Sequence, residues 1–140
     1  SHDFGKVEFA DFLRSLMVHL QNSYGRSEVR MDTAAEAVRL GIDRAIPCGL
    51  IVNELITNAL KHGFPAGRSG SVQVELQLLR GNDIKVAVSD DGVGIPDTLD
   101  LDNLPSLGFQ LIGVLTEQLH AQVHIQRSGP TRIAFIFPLE

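Results

Sequence analysis

Cysteine is nearly missing from this chain. Cys48 is its one example in 140 residues, so no disulfide can form within it, and such usage agrees with a reducing compartment. A basic surplus is missing too: 12 lysines and arginines stand against 17 acids, a formal charge of −5. Nucleic acid is therefore not an expected partner, because binding a phosphate backbone calls for a basic footprint. No apolar run approaches the roughly 20 residues that span a bilayer, and no signal segment opens the chain. Direct membrane contact by this domain is not expected. Internal repeats and low-complexity tracts are absent. So is the sequence G-x-x-x-x-G-K-[ST], which excludes a P-loop.

What is present suits one globular domain, residues 1–140. The apolar fraction is 44% and the charged fraction 21%, ordinary values for a chain long enough to bury a core. Phe9, Phe12, Leu13, Leu16, Leu20 and Tyr24 recur at helical spacing, which predicts a helix over 8–24, stopped by Gly25. Short strands are expected near 29–31 and 37–40. A second helix is predicted over 47–62, opened by Pro47 and ended by Gly63. Alternation over 71–79 and 84–88, around Arg80-Gly81-Asn82-Asp83, reads as a hairpin. A loop over 96–105 leads to a third helix over 107–120, with Ser106 as its expected N-cap. Strands over 122–127 and 132–137 close the chain. Strands in hairpin-like pairs point to an α+β fold, a two-layer α/β sandwich whose mixed, mostly antiparallel sheet carries three helices on one face.

Two stretches carry candidate chemistry. In "NELITNALKH", residues 53–62, a helical turn of about 100° per residue places Asn58, Lys61 and His62 within about 80° of Glu54. Val52, Leu55, Ile56, Ala59 and Leu60 fall on the other side. The polar stripe is what a solvated helix face looks like, with Lys61 and His62 favoured near a C-terminus. It is equally a place for magnesium and phosphate: Asn58 offers an oxygen, Glu54 can orient a water or nucleophile, and Lys61 is a point charge. In "VSDDGVGIP", residues 88–96, Gly92 and Gly94 permit a close backbone approach. Aspartate followed by glycine is also ordinary turn chemistry. Gly108, at the start of the third helix, leaves backbone amides open to an anion.

Together these motifs resemble the ATP-binding domain shared by gyrases, heat-shock chaperones, MutL proteins and sensor histidine kinases, with its Bergerat-type fold. "AIPCGLIVNELITNALKHGFP", "VAVSDDGVGIP" and "SLGFQLIGVLTEQLHAQV" are similar to the histidine kinase subfamily with the less common phosphoacceptor region. The resemblance spans about residues 9–138. It implies that Asp90 accepts a hydrogen bond from the adenine amino group, while Asp91 stands at a variable position. Gly92 and Gly94 would let the chain pass close around ATP, and Asn58 would ligate Mg²⁺. Glu54 matches the position that serves as general base in hydrolytic relatives. Lys61 and His62 would face the phosphates, Gly108 would lie at the helix start that closes over them, and Thr131 would support Asp90.

The resemblance further implies a cytoplasmic catalytic domain of a kinase that is itself soluble or membrane-attached. Its γ-phosphate would pass to a histidine on a separate dimerisation hairpin, and then to a response regulator. Residues 1–25 would be the linker and first helix leading from that hairpin. None of the five histidines, His2, His19, His62, His120 and His124, has the acceptor context, although His19 lies on the first helix. The loop 96–105 is short for an ATP lid and holds Asp97, Asp100 and Asp102 without lysine or arginine. Two other functions share these motifs: an ATP-hydrolysing domain of the same superfamily, and a non-catalytic module that docks a response regulator.

Overall fold

The computed structural model describes residues 5–98 and 107–140. Its main sheet has five strands in the order β2-β4-β5-β7-β6, formed by Val29–Ala35, Gly70–Leu78, Asp83–Asp90, Thr131–Pro138 and Gln122–Gln126 as β2, β4, β5, β7 and β6. The β2–β4 pair is parallel and the other pairs are antiparallel. The expected mixed, mostly antiparallel sheet is thus present. A small ribbon joins β1 (Lys6–Glu8) to β3 (Arg39–Gly41).

Alternation decides which face of the sheet is covered. Val72, Val74 and Leu76 of β4 are buried, as are Ile84, Val86 and Val88 of β5 and Ile133, Phe135 and Phe137 of β7. They share one core with Phe9, Leu13, Met17 and Leu20 of α1 (Phe9–Tyr24), with Ile51, Val52, Leu55 and Ile56 of α2 (Ile42–His62), with Leu115 of α3 (Leu107–Gln118), and with Leu119 in the turn just after it. Each such side chain contributes about 1.5–3 kcal/mol by leaving water, so this single layer contact fixes the helices on the sheet.

Several elements differ from the sequence-based expectation, among them the strand expected over 37–40, which is Arg39–Gly41. The second helix starts at Ile42, so Pro47 sits one turn inside it and is buried. A proline there leaves the Asp43 carbonyl without its helical partner. The helix persists because Ala45, Cys48 and Ile51 are buried along the same stretch. The strand expected over 29–31 runs on to Ala35, although Asp32 to Ala35 carry no apolar alternation. Its backbone is held by β4, from Asp32 opposite Gln73 to Ala35 opposite Leu76. The ribbon strand β1 was not expected, because three residues are too few for a pattern. The turn after β4 is a short 3-10 segment, Arg80–Asn82, with Gly81 and Asn82 both at positive φ.

Candidate functional site

The C-terminal half of α2 presents the polar stripe as the helical spacing requires. Glu54 and Asn58 are half-buried, Lys61 and His62 are exposed, and Val52, Leu55, Ile56 and Leu60 face the core. The Asn58 side-chain nitrogen donates to the Glu54 carboxylate at 3.1 Å. That bond turns the amide so that its oxygen is left for another partner. One amide oxygen beside a carboxylate suits Mg²⁺, which keeps several waters and takes few protein ligands when phosphates are present. Among the described residues no group of three or more histidine, cysteine or acidic side chains is placed to hold a metal. A cation at Asn58 would therefore rely on water and ligand oxygens for the rest of its shell.

The end of α2 meets the end of β5. Asp90 is the last residue of β5 and is buried. One of its carboxylate oxygens accepts the Gly92 amide at 2.9 Å. Burial pushes the Asp90 carboxyl above its ordinary value of 3.8 and the neighbouring Asp91 adds to this, while the Gly92 amide and Arg68 oppose it. Gly92 is pressed against the helix terminus: a Cβ there would lie 2.3 Å from the Gly63 carbonyl oxygen. That carbonyl in turn accepts the Val93 amide at 2.8 Å. Gly94 has φ of 85° and lies against the turn that precedes β7, where a Cβ would sit 3.0 Å from the Arg127 carbonyl oxygen.

Asp91 behaves differently from its neighbour. It is exposed, and its carboxylate accepts the Ser71 amide at 2.8 Å. Its carbonyl accepts from the Arg68 guanidinium at 3.0 Å. Asp91 therefore fixes the start of β4, while Asp90 faces inward.

Thr131 is directly opposite Asp90 in the β5–β7 ladder. Its hydroxyl donates to the Arg127 carbonyl at 2.9 Å, not to the aspartate. The same carbonyl accepts the Ile95 amide at 2.8 Å, and the Arg127 guanidinium donates to the Pro96 carbonyl at 2.6 Å. Thr131 and Arg127 thus tie the loop after Asp90 to β7. Gly108 lies in the first turn of α3, which packs against α2. Ser106, Asp100, Asp102 and most of the expected lid lie outside the described residues.

Contacts that the sequence did not reveal also frame the site. Gly63 receives the loop after Asp90. Arg26 donates to the Phe64 carbonyl just beyond α2, and the Lys61 ammonium lies over the Tyr24 ring, 5.2 Å from its centroid. All three are contacts between distant segments, for which periodicity carries no signal.

The N-terminal half of the same helix is of opposite character. Ile42, Ile46 and Leu50 follow one another at helical spacing and are exposed, Ile46 by 58%. With Phe9, Phe12 and Leu16 of α1 they line an apolar groove of about 370 Å³ that ends at Asn53. The groove therefore stops one residue short of Glu54, where the polar stripe begins.

A family model described as histidine kinase-, DNA gyrase B-, and HSP90-like ATPase matches residues 44–140. Blue-light-activated histidine kinase 2 of Erythrobacter litoralis (strain HTCC2594) is 35% identical over 112 residues, which cover 80% of this chain and 32% of that protein. The sensor histidine kinase PdtaS of Mycobacterium tuberculosis (strain CDC 1551 / Oshkosh) is 33% identical over 88 residues, 62% of this chain and 17% of that one. The chain thus spans a third or less of the length of these relatives. A solved histidine kinase domain from the Erythrobacter litoralis EL346 blue-light activated histidine kinase superposes with a TM-score of 0.89 at 30% identity, covering 95% of this chain and 62% of that one.

Proposed function

The chain belongs to the family of histidine kinase-, DNA gyrase B-, and HSP90-like ATPases, and from that premise we propose that it is the catalytic domain of a sensor histidine kinase, residues 1–140 forming one unit. It binds ATP with Mg²⁺ and transfers the γ-phosphate to a histidine on a separate helical hairpin, from which a response regulator is later phosphorylated. The observation that carries this reading is the pairing of a buried Asp90, whose carboxylate accepts from Gly92, with a polar α2 stripe on which the Asn58 oxygen has no partner among the described residues.

The residues divide the work by chemistry. Asp90 accepts from the exocyclic amine of adenine, a bond that guanine, with a carbonyl there, cannot make. Gly92 and Gly94 leave the backbone without side chains where the base passes, and Thr131 holds the loop beside Asp90. Asn58 contributes an oxygen to Mg²⁺, which when bound offsets the charge of the phosphates. Lys61 adds a positive point charge, His62 a donor on the same face, and the start of α3 around Gly108 adds backbone amides. Phosphoryl transfer needs mainly such positioning and charge neutralisation. Glu54 orients the incoming imidazole or takes up its proton. Residues 1–25 lead from the hairpin.

The apolar groove supplies a landing place for that hairpin. Its end at Asn53 adjoins Glu54, so a helix seated on Phe12, Ile46 and Leu50 brings a histidine to the polar half of α2. No helix among the described residues is long and apolar enough to cross a membrane. We place the domain in the cytoplasm, where ATP is supplied.

Calorimetric titration with ATP, with and without Mg²⁺, tests the reading. Mg²⁺-dependent binding supports it, and failure to bind leaves a docking module. Steady-state phosphate release separates the kinase from a hydrolase of the same family: sustained turnover by the chain alone, lost in Glu54→Gln, identifies the hydrolase.

A further inference from the structure

Tyr24 ends α1, and the helical spacing assigned it to the apolar stripe of that helix. In the fold it is exposed, because it has passed the edge of the core and reached the end of α2. There its ring lies beneath the Lys61 ammonium at 5.2 Å. The following turn is held tightly. The Gly25 amide donates to the Gln21 carbonyl at 2.9 Å, and a Cβ on Gly25 would lie 2.4 Å from that oxygen, so only glycine fits. The next residue, Arg26, reaches the Phe64 carbonyl. Residues 24–26 therefore hold the end of α2 at Lys61 and the chain just beyond it at Phe64.

We propose that Tyr24 is a positioning residue for Lys61: its aromatic face holds the ammonium on the stripe shared with Glu54 and Asn58, and so raises the affinity for the nucleotide's phosphates. The inference rests on the assignment of Lys61 to the phosphates. A free lysine has four rotatable bonds and loses that freedom when it meets an anion. The negative face of an aromatic ring attracts the ammonium and restrains it beforehand. Less ordering then remains to be done on binding. Phenylalanine has the same face, so the effect belongs to the ring and not to the hydroxyl.

A double-mutant cycle read by ATP titration in the presence of Mg²⁺ tests this, with the thermal midpoint recorded for every variant. Tyr24→Phe keeps the affinity within about twofold, while Tyr24→Leu weakens it roughly two- to fivefold, as expected for an exposed cation–π contact. Tyr24→Leu adds nothing once Lys61→Ala is present, yet it adds in full to Asp90→Asn, which shares no partner with it. Should Tyr24→Leu fail to fold, Tyr24→Met keeps the apolar bulk without the ring and takes its place. Full additivity with Lys61→Ala, or an unchanged affinity without the ring while Lys61→Ala weakens binding, overturns the role of Tyr24 and leaves the site itself standing. An unchanged affinity in Lys61→Ala instead overturns the assignment of Lys61, and the role of Tyr24 with it.

Discussion

The carbonyl of Gly63 accepts the amide of Val93 at 2.8 Å, which ties the end of the Asn58 helix directly to the loop that follows Asp90. The intervening Gly92 leaves no space for a side chain, since a Cβ would stand 2.3 Å from the same oxygen. The two halves of the proposed nucleotide site are therefore in direct backbone contact. Gly92→Ala should lower both the thermal midpoint and ATP affinity, because backbone has to shift. Gly113→Ala is the matched control. That glycine lies in α3 with nothing within 4 Å of an added Cβ, so alanine there should leave binding intact and stabilise the helix by about 0.5–1 kcal/mol. Equal effects of the two substitutions would sink the coupling.

Asp90→Asn should separate binding from folding. The carboxyl is raised by burial, so the unfolded chain ionises it at lower pH than the folded one. Above the folded value the ionised group therefore subtracts stability, and this loss is relieved as pH falls through that value. The amide avoids it and can still accept from Gly92, so the thermal midpoint near neutral pH should hold or rise. Nucleotide binding has the opposite dependence, because adenine requires the ionised acceptor. ATP affinity of the wild type should fall as pH drops through a value above 3.8, and the step should vanish in Asp90→Asn. Hydrogen bonds to charged groups contribute about 1.5–3 kcal/mol, so the substitution should weaken ATP about tenfold or more. Asp91→Asn should weaken it far less, because the Asp91 carboxylate holds the Ser71 amide at the start of β4.

Asn58→Ala should act through magnesium. The side chain lies on the polar stripe and, among the described residues, bonds to Glu54 alone, so the thermal midpoint should stay within a few degrees. What should disappear is the extra stabilisation by ATP that Mg²⁺ brings. A mutant that unfolds, or that keeps the full Mg²⁺ effect in a thermal-shift series, contradicts the assignment.

Ile46→Asp and Leu50→Asp should do the reverse. Both side chains are exposed, so fold and ATP affinity should survive. Transfer to the hairpin should fall by at least about tenfold, since a charge would be desolvated against an apolar helix. Unchanged transfer would remove the groove from the account.

The sequence revealed most of this architecture where burial is periodic. The alternation of β4 and β5 and the stripes of α1 and α2 follow from one covered sheet face, and the element order followed from them. The start of α2 was hidden because Pro47 reads as a first-turn residue, while the burial that carries the helix through it belongs to tertiary structure. The far end of β2 was hidden because a backbone ladder, not side chains, sustains Asp32 to Ala35. Within the site, the polar stripe could be read from spacing. Its attachments could not: Gly63 to Val93, Tyr24 to Lys61 and Arg127 to Pro96 join segments about 30 to 37 residues apart.

Transfer of labelled phosphate from ATP to a separate hairpin of the parent kinase tests the central claim most directly. With Mg²⁺ present, the chain alone should not label itself on histidine, since His19 lies exposed on α1 without the acceptor context. With the hairpin added, an acid-labile, base-stable label should build up on the hairpin. It should do so slowly, because separation forfeits the effective concentration of a tether, and it should be lost in Asn58→Ala. Rapid acid-labile self-labelling that disappears in His19→Gln would contradict the account and place the acceptor within these 140 residues.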